Sequence, residues 1–181
     1  MHRRVKMYLL FLLSLVGSDN LRLMYEIPDC NPPANIPFGD ANHNGKEEIY
    51  LRRGGSGVRI WESYDSMFVN VLNLTEDYGY PFPLCAGMID ADSLLDLLVN
   101  KYMYHDGIFV LEAPYDSFPT ESVWVDTTDP NPWDAYITDL DQDGKKEIFL
   151  RARSDLSTRI YECTGDNEYA LVYCAPPPVD D

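Results

Sequence analysis

Positive charge is scarce in this chain: 14 Lys and Arg stand against 30 Asp and Glu, giving a formal net charge of −16. That balance excludes nucleic acid and anionic membrane faces as partners held by bulk electrostatics, and it favours cations. Histidine is scarcer still, at 3 residues. His43 and His105 both fall in turn-like stretches, and neither has a partner arrangement suited to nucleophilic or general-base work. No serine sits in a nucleophile elbow, and "RRGGSG" at 52–57 lacks the lysine and spacing of a phosphate loop, so it reads as a hairpin turn. The four cysteines, Cys30, Cys85, Cys163 and Cys174, form no CxxC, which removes the common zinc and redox motifs. Four cysteines allow three connectivities, and the spacing selects none of them. Long apolar runs are also missing. The longest near the N-terminus, Met7 to Gly17, is 11 residues, too short for a membrane-crossing helix, which needs about 20. No catalytic residue and no membrane span is expected.

That short run has a different use. Arg3, Arg4 and Lys6 precede it, and Val16 and Ser18 supply small residues at its end, the layout of a secretory signal peptide over residues 1–18. The expected location is therefore secreted or at the cell surface, where calcium is abundant enough for weak carboxylate sites to fill.

Beyond residue 18 the chain repeats itself. "FGDANHNGKEEIYL", "AGMIDADSLLDLLV" and "ITDLDQDGKKEIFL" align without gaps. Asp40, Met88 and Asp139 hold position one of the loop, and Asn42, Asp90 and Asp141 hold position three. Asn44, Asp92 and Asp143 hold position five, Gly45, Ser93 and Gly144 position six, and Glu48, Asp96 and Glu147 position nine. A second marker follows each loop: "RIWE", "FVLE" and "RIYE" close on Glu62, Glu112 and Glu162, which are 50 residues apart. A turn marker comes next, at Tyr64-Asp65-Ser66, Tyr115-Asp116-Ser117 and Gly165-Asp166-Asn167. Three markers on one period point to a repeat architecture.

Each unit reads as strands. Ile49 and Leu51, or Ile148 and Leu150, alternate with more polar neighbours at period two, and aspartate turns and proline-bearing connections punctuate the runs. Four short antiparallel strands in ~50 residues is the size of a propeller blade. The expected organisation is a signal peptide at 1–18, a segment at 19–35 resembling the end of a preceding blade, and blades at 36–83, 84–133 and 134–181. The fold class is all-β, with three four-stranded antiparallel propeller-type blades.

The motifs Gly39-Asp40-x-Asn42-x-Asn44-Gly45-x-x-Glu48-Ile49 and Asp139-x-Asp141-x-Asp143-Gly144-x-x-Glu147-Ile148 resemble the FG-GAP and VCBS repeat family, whose blades build integrin-alpha-type β-propellers. The resemblance runs from about Pro28 to Cys174. It implies that each loop joins the first two strands of a blade and holds Ca2+. The ligands it implies are the side chains of Asp40, Asn42, Asn44 and Glu48 with the Lys46 carbonyl, and of Asp139, Asp141, Asp143 and Glu147 with the Lys145 carbonyl. Calcium takes six to eight hard oxygens, which alternate residues of a tight loop can supply. The third loop, with four carboxylates, should bind best, and the first, with two neutral asparagines, less well. In the second, Met88 cannot coordinate, so Asp90, Asp92 and Asp96 either bind weakly or cap the turn. An EF-hand would require a bidentate glutamate at position twelve and flanking helices, whereas Leu51 and Leu150 stand there in strand-like runs.

The functional expectation is an exported calcium-binding module for adhesion, binding or scaffolding, with a protein or carbohydrate surface as its partner, and not an enzyme. The alternative is an accessory part of a larger secreted carbohydrate-active or other enzyme. Closed propellers typically have four to eight blades, so three imply a fragment, an incomplete ring completed by self-association, or an open array.

Overall fold

Strands form after each acidic loop, where the sequence turns to β-branched, aromatic and leucine residues. The computed structural model describes residues 26–27, 30–31, 36–53, 57–75, 81–101, 107–128, 132, 134–153 and 155–175. The expected signal peptide, His105 and Trp133 lie outside them. Among the described residues there is no helix, and hence none long and apolar enough to cross a membrane.

Three antiparallel sheets follow one another along the chain. The first contains β1 (Cys30–Asn31), β2 (Phe38–Gly39), β3 (Glu48–Arg53), β4 (Val58–Tyr64) and β5 (Met67–Leu74). The second contains β6 (Pro81–Gly87), β7 (Asp96–Lys101), β8 (Gly107–Glu112) and β9 (Glu121–Asp126). The third contains β10 (Ala135–Thr138), β11 (Glu147–Arg151), β12 (Thr158–Gly165) and β13 (Glu168–Ala175). In each, consecutive strands pair as a meander, and the acidic loop joins the strand at one edge to the next. Both β1 and β2 pair with the same edge of β3, through Cys30↔Arg53 and Phe38↔Ile49, so the first sheet's outermost strand comes in two pieces. Cys30 and Asn31, from the segment resembling the end of a preceding unit, thus hydrogen-bond within the first sheet.

The repeat extends to an irregularity the sequence does not advertise. A register shift falls between Ile60 and Trp61, between Val110 and Leu111, and between Ile160 and Tyr161, at the same place in each unit. Each shift leaves one extra residue on the fourth strand, Val71, Val123 and Val172, and such a bulge bends that strand and increases the local twist.

The sheets stack face to face in chain order. Tyr50, Val58, Ile60 and Leu74 of the first pack with Leu97, Val99, Phe109 and Leu111 of the second. The other face of β7 and β8, with Leu98, Ile108 and Val110, meets Ile148, Leu150 and Tyr161 of the third. The middle sheet is therefore buried on both faces, which is why β7 and β8 read as nearly continuous apolar runs. Each fully buried aliphatic side chain adds about 1.5–3 kcal/mol of transfer free energy. Leu51 and Leu150, at the position an EF-hand reserves for its glutamate, are fully buried strand residues.

Aromatic rings fasten the second interface. Trp124 of β9 packs edge-on against Tyr161 at 5.5 Å and Tyr169 at 5.2 Å. The Tyr161 hydroxyl donates to Asp126 Oδ2 at 2.6 Å. On the outer side of the first sheet, Ile27, Cys30 and Ile36 cover Ile49, Leu51 and Trp61. The four cysteines form no disulfide; Cys30, Cys85 and Cys163 are buried and Cys174 is exposed.

Candidate metal centre

One hydrogen bond recurs in all three acidic loops. The backbone N–H at position two donates to the carboxylate at position nine: Ala41 to Glu48 Oε2 at 2.7 Å, Ile89 to Asp96 Oδ2 at 2.9 Å, and Leu140 to Glu147 Oε2 at 2.5 Å. The bond closes each loop onto its second strand. It occupies only one oxygen of each carboxylate. The other oxygens, Glu48 Oε1, Asp96 Oδ1 and Glu147 Oε1, are buried and without a hydrogen-bond partner. Burying a carboxylate oxygen with no donor is costly unless a proton or a cation meets it. For Glu48 and Asp96, burial above all, with neighbouring acids adding to it, pushes the pKa up to about 7.

Alternate loop residues converge because the backbone turns sharply between them. Position six lies in the left-handed region in all three loops, with φ of 81° at Gly45, 71° at Ser93 and 92° at Gly144. Ser93 makes the turn without being glycine. Position four is left-handed as well at His43 and Gln142.

The third loop gathers the expected set. One oxygen from each of Asp139, Asp141, Asp143 and Glu147 lies within 4.8 Å of the others. Asp139 Oδ2 accepts from Gly144 N at 3.0 Å, Asp141 Oδ1 from Asp143 N at 3.1 Å, and Asp143 Oδ1 from Lys145 N at 2.8 Å. These bonds fix the carboxylates, while Asp139 Oδ1 and Glu147 Oε1 stay buried without a donor. The Lys145 N–H, and after it the ammonium, hold the Asp143 carboxyl below its usual range. Such a set can hold a metal ion.

The first loop is arranged differently. Asp40 accepts from Asn44 N and Gly45 N, as the loop template requires. Its two asparagines, however, turn their amides to the closing glutamate: Asn42 Nδ2 donates to Glu62 Oε2 at 2.9 Å and Asn44 Nδ2 at 2.7 Å. The Lys46 ammonium reaches Glu62 Oε1 at 3.4 Å. Burial alone would raise Glu62, but these donors outweigh it and hold its pKa at about 2. Among the described residues, Asp40 and Glu48 belong to no cluster of three close acids.

The second loop brings Asp90 and Asp92 together, but with different partners from those of the template. Their cluster is completed by Glu112 from the end of β8 and Asp166 from the turn between β12 and β13, again within 4.8 Å. Asp96 stands directly across the β7–β8 ladder from Glu112, so the two side chains share a face. The backbone N–H of Asn167 donates to Asp90 Oδ2 at 2.9 Å, and its amide to Glu112 Oε2 at 3.0 Å. Desolvation, ahead of the neighbouring charges, raises the pKa of both Asp90 and Glu112. The buried Tyr169 hydroxyl has no partner. Burial, followed by the charges of Asp96 and Asp90, pushes its pKa up.

Glu112 and Asp166 are the residues that motif reading misses. The closing glutamates were visible as a period marker, and hairpin register places each opposite position nine: Glu48↔Glu62, Asp96↔Glu112 and Glu147↔Glu162. Asp166 lies 76 residues from Asp90 in the sequence, and only sheet stacking unites them. Position seven also has a side-chain role: Lys145 Nζ lies 2.6 Å from Glu162 Oε1, as Lys46 approaches Glu62.

Compared with family models, curated proteins and solved structures, the chain gave no match.

Proposed function

We propose that this chain is a calcium-binding repeat module of the FG-GAP/VCBS type, exported or displayed at the cell surface. Its three sheets would be blades of an incomplete propeller, and it would act by binding or scaffolding a protein or carbohydrate surface, without turnover. The observation that carries the reading is the third loop: four convergent carboxylates, two of them with buried oxygens that no protein donor reaches. Hard oxygens in that number suit calcium. The ion's role would be mechanical, tying Asp139 at the end of the first strand to Glu147 at the start of the second. The first loop would bind more weakly, since Lys46 and two amides already answer Glu62.

Support for an incomplete stack comes from the outer face of the third sheet. Tyr136, Phe149, Ile160 and Tyr173 stand in register across its four strands, with Tyr136 and Tyr173 about half exposed. A further sheet from a second copy of the chain would stack there as the first three stack on one another.

Thermal unfolding with calcium and with chelator tests the central claim. At a calcium concentration 100-fold above Kd, binding to the folded state alone adds about 2.7 kcal/mol, or roughly 5–10 °C in Tm for a chain of this size. Asp141→Ala should lose the third loop's share of that shift. No calcium-dependent shift in the wild type overturns the reading.

A further inference from the structure

The two sheet interfaces are built alike at their rims and differ in charge. In each, the turn between the third and fourth strands of one sheet touches the acidic loop of the sheet before it. At the first interface the turn acid Asp116 meets a histidine, His43 Nδ1, at 3.9 Å, and Tyr115 lies beside the same ring at 6.1 Å. At the second, the turn acid Asp166 meets Asp90, Asp92 and Glu112. Acid faces acid there, and folding forces the encounter.

The lysine that relieves the closing glutamate elsewhere is also missing. Position seven is Lys46 in the first loop and Lys145 in the third, each paired with its own closing glutamate. In the second loop it is Leu94, which leaves Glu112 with only the Asn167 amide as a donor. Lys145 and Lys146 line the adjoining cleft with Asp90 and Asp166. Both are committed: Lys145 to Glu162 and Asp143, and Lys146 to the Met88 carbonyl. Among the described residues, no base pairs with any of the four acids.

Two buried polar atoms near the cluster have no hydrogen-bond partner, Asp96 Oδ1 and the Tyr169 hydroxyl. Asp96 is fully buried and stands across the β7–β8 ladder from Glu112; its Oδ2 accepts from Ile89 N and its Oδ1 has no donor. Tyr169, from the third sheet and 9 % exposed, brings a hydroxyl with no partner into the field of Asp96, Asp90 and Glu112. The neutral Asn167 Oδ1 is a further buried oxygen without a donor.

We propose that Asp90, Asp92, Glu112 and Asp166 form a second calcium site, one that bridges the second and third sheets. Unlike the loop sites, it draws its ligands from two repeats, so an ion there fastens sheet to sheet. The site does not depend on the third loop, whose carboxylates are a separate set.

Calcium binding by isothermal titration, using the full chain, decides it. Asp166→Asn and Asp92→Asn alter exposed side chains and should retain the native far-UV circular dichroism. Each should lose one bound ion per chain relative to wild type, and the double variant should lose no second ion. Terbium gives an independent readout, since luminescence sensitised by Tyr169 and Trp124 should vanish in Asp166→Asn and persist in Asp141→Ala. If both single variants keep the wild-type stoichiometry and affinity, or if the double variant loses two ions, the bridging site is overturned. If Asp141→Ala keeps every ion while Asp166→Asn loses one, the third-loop reading fails and the bridging site stands.

Discussion

Replacing Glu48 by glutamine should reverse its effect on stability when calcium is exchanged for chelator. Glu48 is fully buried; one oxygen accepts from Ala41 N and the other has no partner. Burial first, and then the charges of Asp40 and Glu62, bring its pKa to about 7, against an ordinary 4.5. Ionising it in the folded chain therefore costs about 3 kcal/mol in alkaline solution without a cation. Because the folded pKa is the higher one, this contribution to stability is fully present below about 4.5 and is lost as pH rises through about 7. Glu48→Gln removes the charge and keeps a carbonyl for Ala41. It also puts an amide donor in a buried place beside the Glu62 carboxylate, whose oxygens already accept from Asn42, Asn44 and Lys46, a cost of about 1–2 kcal/mol. The net expectation is a variant more stable than wild type by about 1–2 kcal/mol in chelator near pH 8, and level with it or below it near pH 5. In saturating calcium the advantage should disappear, because the wild-type carboxylate then has its cation and the amide is the poorer ligand. Urea unfolding at the two pH values, with and without calcium, measures all four quantities. If Glu48→Gln destabilises the protein equally in every condition, the unpaired oxygen carries no charge penalty, and the account of the position-nine acids is wrong.

Leu150→Ala should cost about 2–5 kcal/mol by urea unfolding, equally with calcium and with chelator, because Leu150 is core and no ligand acts through it; a loss confined to calcium solutions would contradict this. Two glycines with similar backbone angles should separate in the same assay. At Gly144, φ 92° with nothing within 4 Å of an added Cβ, alanine should cost about 1–2 kcal/mol. At Gly57, φ 89°, the Cβ would sit 2.2 Å from the Leu74 carbonyl oxygen, and alanine should cost about 2–4 kcal/mol; equal losses at both would mean that the Leu74 backbone yields freely.

The strands were legible because period-two patterning and a 50-residue repeat are local signals, and, β1 apart, each strand's neighbour in the sheet is its neighbour in the chain. The third loop was legible for the same reason: Asp139, Asp141, Asp143 and Glu147 span nine residues and turn about a glycine. What stayed hidden depends on choices a motif leaves open. An asparagine at position three or five offers either its oxygen to an ion or its amide to Glu62, and Asn42 and Asn44 take the second course because Glu62 lies opposite Glu48 across the ladder. The lysine at position seven carries a charge as well as a carbonyl, and Lys46 and Lys145 spend it on their closing glutamates.

Leu94, half-buried, has a consequence beyond its own loop. An apolar residue in the lysine position leaves Glu112 without a base, just where stacking delivers Asp166 from the next repeat. Met88 at position one removes a carboxylate from the same loop, and its carbonyl is taken by Lys146 of the third. Judged inside its own repeat, the second loop is a decayed copy. Judged across the interface, the two departures from the pattern move its negative charge outward, away from position one and toward the neighbouring sheet. Stacking drives Asp90, Asp92 and Glu112 onto a fourth acid, and like charges held that close cost free energy unless protons or a cation offset them. A cation shared by the two sheets would turn that repulsion into a fastening.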